Sequence, residues 1–403
     1  MLPNAPRLVH LSLASQESII LSLAQTASVV QKLRRFTGAI FSSSFTRKQV
    51  NSRRPTTTRT CEAFADAVDE ATRGLDAWCA AREEAICRAY AGIDAEFLVV
   101  SLLETEGAIR DRFGTVYEVL LEIVQRVFRI HPGEDFARSN HAGTALRQPA
   151  ALTAQLLDTL FSNVQQHMER QDTITSDALT RVFLRTAGPT WTMVGKWLKD
   201  GMGLGLGVGS GGRRDMADEL DEEFFIENNG LGSGMMGVGL LDPEFWQEGY
   251  ALREATTSGD DGPEIQQPTQ SRRIIPLFLE HVADMVLSTG KAVGLMRALG
   301  GPLSTSAFDD RKTFADLVSL EALSAEETKV TQGLFSVSVD TLSRLIYDTL
   351  LPHCQTTGSQ LVNVLVEDCF LWKHLQSIED LFLMRKGDAI SHFIDVLFMK
   401  VGS

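Results

Sequence analysis

Apolar residues recur along this chain at intervals of three and four, the spacing of one face of a helix, and seldom alternate singly as a half-buried strand requires. In residues 15–35, Ile19, Ile20, Leu23, Val30 and Leu33 make a first stripe. Residues 42–60 lose that period to Ser, Thr and Pro, which predicts a loop. From Cys61 to about Ala91 the period returns for about 30 residues, so the helix would reach about 45 Å, longer than a compact domain needs. Residues 96–129 predict a helix pair broken near Gly107 or Gly114 and ended by His131-Pro132-Gly133. Residues 151–171 and 176–200 predict two or three more helices, with Gly188-Pro189 as a break.

The glycine-rich residues 201–212 open an irregular region that runs to about Arg273. Within it Phe224-Phe225-Ile226 reads as a short strand, and residues 256–270 are polar enough to be disordered. Residues 276–299 return to a helix with Phe278, Val282, Met285, Val286, Val293 and Met296 on one face and Leu277, Leu287 and Leu295 on its flanks. Ser324-Ala325-Glu326-Glu327 is a capping box, in which a serine and a glutamate three residues on satisfy the amides of a helix start. Helices are predicted after it at 337–352 and 360–385. The pattern therefore predicts an all-α protein, an elongated stack of helical bundles with one irregular, partly disordered insertion. A first domain covers 9–325, with flexible loops near 42–60, 201–214 and 254–273. The start of a second, incomplete one covers 326–403.

Composition narrows the function classes. With 403 residues, 44% of them hydrophobic and 7% aromatic, the chain can bury a large core. No run of about 18 apolar residues is present, which argues against a membrane span. The formal charge of −14 disfavours nucleic acid as a partner, since phosphate backbones are bound by clustered Lys and Arg. One stretch departs from that balance: between Glu17 and Glu62 there is no acidic residue, while Lys32, Arg34, Arg35, Arg47, Lys48, Arg53, Arg54 and Arg59 are basic. It reads either as a solvated loop or as a phosphorylatable contact for an acidic partner. Cys61, Cys79, Cys87, Cys354 and Cys369 contain no CxxC pair and fit reduced thiols in the cytosol.

Candidate chemistry is sparse. Gly290-Lys291 invites comparison with a phosphate-binding loop, but that loop needs a glycine at 285 and a hydroxyl residue at 292, where Met285 and Ala292 stand. A helix using its glycine for close packing is the better reading. Gly207, Gly209 and Gly212 match GxGxxG by spacing without the strand before and the helix after that a dinucleotide site needs. The histidines are dispersed, with no His-x3-His pair and no cysteine cluster beside them, so no metal site, cofactor site or catalytic residue is assigned and the chain is not read as an enzyme. The candidate protein-interaction residues are Phe224, Phe225, Phe245, Trp246, Tyr250 and Arg253. Such aromatics serve either as an interface hot spot or as a plug locking a loop onto helices. The acidic run Asp215, Asp218, Glu219, Asp221, Glu222 and Glu223 is either a solvated face or a dock for a basic partner.

The order Asp221-Glu222-Glu223-Phe224-Phe225-Ile226, Asp242-Pro243-Glu244-Phe245-Trp246, Tyr250-Ala251-Leu252-Arg253, then Phe278-Leu279-Glu280-His281-Val282-Ala283 running into Thr289-Gly290-Lys291, resembles the gamma-tubulin complex components, the GRIP-motif proteins of microtubule nucleation. Leu381-Phe382-Leu383-Met384-Arg385-Lys386-Gly387-Asp388 and His392-Phe393-Ile394-Asp395 resemble a segment early in the second domain of that family, with Ala389 where an aromatic is usual. Leu75-Asp76-Ala77-Trp78 with Glu83-Glu84 is most similar to the fifth component, in a fungal version. The resemblance implies a crescent-shaped stack of helical bundles. Its first domain makes lateral contacts with neighbouring components, and its second binds gamma-tubulin. It also implies a cytoplasmic, cytoskeletal location at microtubule organising centres and spindle poles, no cofactor, and a chain that stops soon after the second domain begins. A helical adaptor or tethering-complex subunit unrelated to microtubules is the alternative that the residues alone leave open.

Overall fold

The computed structural model describes residues 12–49, 58–91, 101–130, 148–202, 222–229, 243–255, 273–300, 314, 316, 339–383 and 385–401. Apart from one two-stranded sheet, its described elements are helices, and the fold is all-α. The capping-box residues 324–327, the glycines from 203 to 212 and the polar residues 256–270 lie outside the described residues.

Helix α1 (Leu13–Gln49) starts where the Ser12 hydroxyl accepts from the amide of Ser15. Its second half buries Val30, Leu33, Phe36 and Ile40 against α2 (Arg59–Tyr90) and α4 (Thr115–Phe128). Eight residues of the predicted 42–60 loop thus fall inside α1, and of that loop residues 50–57 lie outside the described residues. In α2, Thr58 caps the amide of Cys61, and Phe64, Ala65 and Val68 are buried, whereas no side chain beyond Thr72 is fully buried. α3 (Leu102–Ile109), capped by Ser101, passes through a π-helical turn (Arg110–Gly114) into α4, so the predicted break is a local change of pitch. In α4, Val116, Leu120, Ile123, Val124 and Val127 form the buried stripe that the spacing predicts.

α5 (Pro149–Glu169) begins with proline at its first position, where no amide is needed, and presents Leu152, Leu156, Leu160 and Val164 to the core. α6 (Thr173–Asp200), capped by Asp172, lies centrally against α2, α5 and α8 (Ala283–Ala298). Gly188-Pro189 does not break it. Proline inside a helix costs about 3 kcal/mol, but Val182, Phe183 and Ala187 before it and Trp191, Val194 and Trp197 after it all enter one core. At roughly 1.5–3 kcal/mol for each large side chain buried, continuity wins. The same holds for α9 (Val339–Asn363), which runs through Pro352 where a helix end is predicted.

The predicted helix of residues 276–299 is a 3-10 segment (Leu277–Val282) followed by α8, with Phe278, Val282, Val286, Val293 and Met296 buried and Met285 half-buried. α9 lies against α8 and contributes Leu342, Ile346 and Leu350 to the same apolar core as α1 to α6. A second π turn (Val364–Asp368) leads to α10 (Leu371–Phe382) and α11 (Gly387–Val401). Burial ends at Val364: no described side chain beyond it is buried.

Candidate functional site

Hydrogen bonds, ring contacts and two close-packed glycines join the irregular insertion to the end of α6 and to α8. Trp197, near the last turn of α6, donates through its indole Nε1 to the carbonyl of Val286 at 2.9 Å. The indole lies where a side chain on Gly290 would be: a Cβ there would stand 2.1 Å from Trp197 Cε2. Gly201, with φ of +65°, closes the helix end so tightly that its own Cβ would stand 2.7 Å from the amide nitrogen of Gly294. Both glycines are therefore required by close approach. Met202 in turn donates its amide to the carbonyl of Gly290 at 3.2 Å.

Around this contact the insertion folds as a short sheet, β1 (Ile226–Asn228) paired antiparallel with β2 (Tyr250–Leu252), so that Ile226 faces Leu252 and Asn228 faces Tyr250. The strand thus starts at Ile226, and Phe224 and Phe225 precede it as a bend. Phe224, Phe225 and Tyr250 are buried, with the ring of Tyr250 5.4 Å and that of Phe224 6.5 Å from the ring of Trp197. Trp246 is half-buried at the end of the one-and-a-half-turn α7 (Pro243–Glu248) and packs on the same core. The backbone of Phe245 is in α7, and its side chain lies outside the described residues. Arg253 donates Nε to the carbonyl of Phe224 at 2.7 Å and Nη1 to Glu227 at 3.4 Å. Burial lowers its pKa, against the opposing pull of Glu227 and Glu222. Five of the six candidate residues are thereby placed in one cluster that ties the insertion to the helices.

Two cluster members escape prediction by type. Lys291 aims its ammonium at the carbonyls of Trp246 and Gln247, both at 3.0 Å, satisfying the end of α7, and burial lowers its pKa. The Gly-Lys pair is a packing glycine and a helix-end cation. Glu223, from the acidic run, is buried: its carboxylate accepts from the amides of Arg59 and Thr60 at 3.0 and 3.1 Å and from the Thr60 hydroxyl at 3.1 Å. It caps the first turn of α2, where a negative charge also meets the positive end of the helix dipole. Of the same run, Glu222 is exposed, and Asp215, Asp218, Glu219 and Asp221 lie outside the described residues. No local signal marks Glu223, because its partners are more than 160 residues away. Glu223→Ala is expected to remove about 2 kcal/mol, since it leaves buried donors unpaired. A urea midpoint equal to the unsubstituted protein's would show that α2 starts without this cap.

Three of the described histidines meet a carbonyl or carboxylate separately from one another. His281 meets the Ser343 carbonyl at 2.7 Å, His353 the Leu198 carbonyl at 3.3 Å, and His167 Asp172 at 3.3 Å. Among the described residues no group of three or more His, Cys, Asp or Glu side chains is placed to hold a metal ion, and no helix is long and apolar enough to cross a membrane. What the arrangement does is mechanical: it fixes an insertion against three helices. The family "Gamma tubulin complex component N-terminal" matches residues 2–368, which spans the whole of this cluster and α1 to α9. The chain belongs to the gamma-tubulin complex component family. Members of this family are structural subunits rather than enzymes, associate with other components of the complex, and are linked to the cytoskeleton and the microtubule organising centre. In this gamma-tubulin complex component, α10 and α11 follow the matched span.

Proposed function

We propose that this component is a non-catalytic scaffold subunit that makes lateral contacts with neighbouring components in the cytoplasm, for microtubule nucleation at organising centres and spindle poles. The observation that carries the reading is the family match across the first nine helices. The surface that fits it best is the outward side of the first half of α1. There Leu13, Ile20 and Leu21 are exposed, and Glu17 is the one charged residue between Ser12 and Gln31. Depletion of charge around exposed apolar side chains is the pattern of an interface core. The cluster of Phe224, Phe225, Trp246, Tyr250 and Arg253, with Phe245 beside it, serves partners by fixing the shape of the insertion. Leu75-Asp76-Ala77-Trp78 and Glu83-Glu84 in α2 support the fifth component, in its fungal form, where Trp78 sets its ring 6.2 Å edge-on from Phe113. Contact with gamma-tubulin falls to the second domain, for which we keep the start near 326 read from the sequence.

The test is co-sedimentation of the 403-residue chain with a purified fourth component and, separately, with gamma-tubulin. Binding to the component and weak or no binding to gamma-tubulin is expected. Leu21→Asp, at a position 62% exposed, is expected to weaken the first interaction tenfold or more. Tight stoichiometric binding of gamma-tubulin without a partner would overturn this allocation of roles.

A further inference from the structure

The first half of α1 is not oriented by its hydrophobic pattern. Its inner side buries Gln16 and Ile19 and half-buries Ser22, Leu23 and Thr26, while Leu13, Ile20 and Leu21 face solvent. Turned about its axis by one residue, about 100°, the same stretch would bring Ile20, Leu23, Ala24 and Ala27 into the places of Ile19, Ser22, Leu23 and Thr26. Either rotation covers one isoleucine and one leucine, and the second replaces two hydroxyls by alanines, so burial of apolar area does not select the one observed. The second half of α1 does not select it either. Val30, Leu33, Phe36 and Ile40 fix that half in the core, but a one-residue change of pitch between the halves, such as the chain makes at Arg110–Gly114, would free the first half to turn.

The group that decides is a carboxylate on the neighbouring helix. Glu106 is the one buried residue of α3, and its Oε1 accepts from the Ser22 hydroxyl at 2.6 Å and from Arg110 Nη1 at 3.2 Å. A buried carboxylate is tolerated only while it keeps its donors. In the other rotation Leu23 would stand opposite Glu106, and the Ser22 hydroxyl would have turned away. Glu17 would also take the place of Gln16, a second carboxylate moved inward. We propose that Glu106 is the positioning residue of the α1 interaction face, its bond to Ser22 selecting the rotation that holds Ile20 and Leu21 outward for a partner. The inference rests on the lateral role proposed for α1, but the rotation itself can be measured without a partner. Glu106 contributes orientation rather than stability, because replacing a buried ionic group by an apolar side chain of similar volume is often neutral or stabilising.

Hydroxyl-radical footprinting of the full chain, read by mass spectrometry at Ile19, Ile20 and Leu21, reports the rotation. Glu106→Leu is expected to protect Ile20 and expose Ile19, with a urea midpoint equal to or above that of the unsubstituted protein. It should nevertheless weaken binding of the purified fourth component about tenfold or more. Glu106→Gln, whose amide oxygen still accepts from Ser22, should keep the footprint and bind within about twofold. Ser22→Ala should shift the footprint in the direction of Glu106→Leu and add nothing to it in the double variant, because both remove the same bond. An unchanged footprint in Glu106→Leu and in Ser22→Ala overturns the proposal. So does a loss of binding in Glu106→Gln as large as that in Glu106→Leu. A footprint that turns as expected, in a chain whose unsubstituted form does not bind the component, would instead overturn the lateral role of α1 and support the assignment of its rotation to Glu106.

Discussion

Val286→Asp is expected to remove on the order of 5 kcal/mol of stability, enough to leave the chain partly unfolded at ambient temperature. Val286 has no solvent exposure, sits midway along the apolar face of α8, and its carbonyl holds the Trp197 indole. A carboxylate there must either stay ionised without a partner or take up a proton, and both states lose the apolar contacts of the valine. The neighbours supply the control. Ser288, on the exposed side of the same helix, should accept Ser288→Asp within about 0.5 kcal/mol, and Met285→Asp at a half-buried position should fall between. Urea melts followed by circular dichroism give the order, and three equal midpoints would show that this face of α8 is not core.

Gly290→Leu is expected to remove about 4 kcal/mol by the opposite fault, too many atoms rather than a charge. The Cβ alone would overlap the indole of Trp197 at Cε2 and Nε1, so the indole must leave its position and surrender its hydrogen bond to Val286. Trp197 also stacks near Phe224 and Tyr250, so its displacement loosens the insertion as well as α6. Tryptophan fluorescence and proteolysis of the insertion should both change before the global melt. Gly290→Ala should show a smaller version of the same effect. A stable Gly290→Leu variant with an unaltered emission spectrum would mean that α8 and α6 do not approach as closely as described.

Much of the helical frame is legible because its cause is local. α2 appears within two residues of the predicted limits, since Thr58, Cys61 and the apolar stripe after it are contiguous signals. The buried set of α4 follows the three-four spacing directly. Where the deciding interaction comes from elsewhere in the chain, sequence reading fails in a consistent direction. Pro189 and Pro352 look like stops by propensity, but both helices continue because side chains on either side of each proline share one core. Gly290-Lys291 can be stripped of its phosphate-loop meaning from the residues at 285 and 292. What it does instead depends on Trp197 and on the carbonyls of α7. Of the candidate contact residues, Phe224 and Tyr250 carry the chemistry of a hot spot, yet their burial against Trp197 cannot be read from their own neighbourhood. α9 shows the same limit, since the packing of Leu342, Ile346 and Leu350 on the core of the earlier helices depends on partners far away in the chain.

The carboxylate of Glu223 at the head of α2 also sets an order of events during synthesis. The amide of Arg59 that it accepts from leaves the ribosome 164 residues earlier. Thr58 caps the Cys61 amide at once, but at 5–20 residues per second the amides of Arg59 and Thr60 wait roughly 10–30 s for this carboxylate. In that interval Phe64 and Val68 can already meet Phe36 on α1, because that pairing needs only the chain made so far. The nascent chain therefore assembles its first helices with a frayed end, and arrival of the insertion closes it.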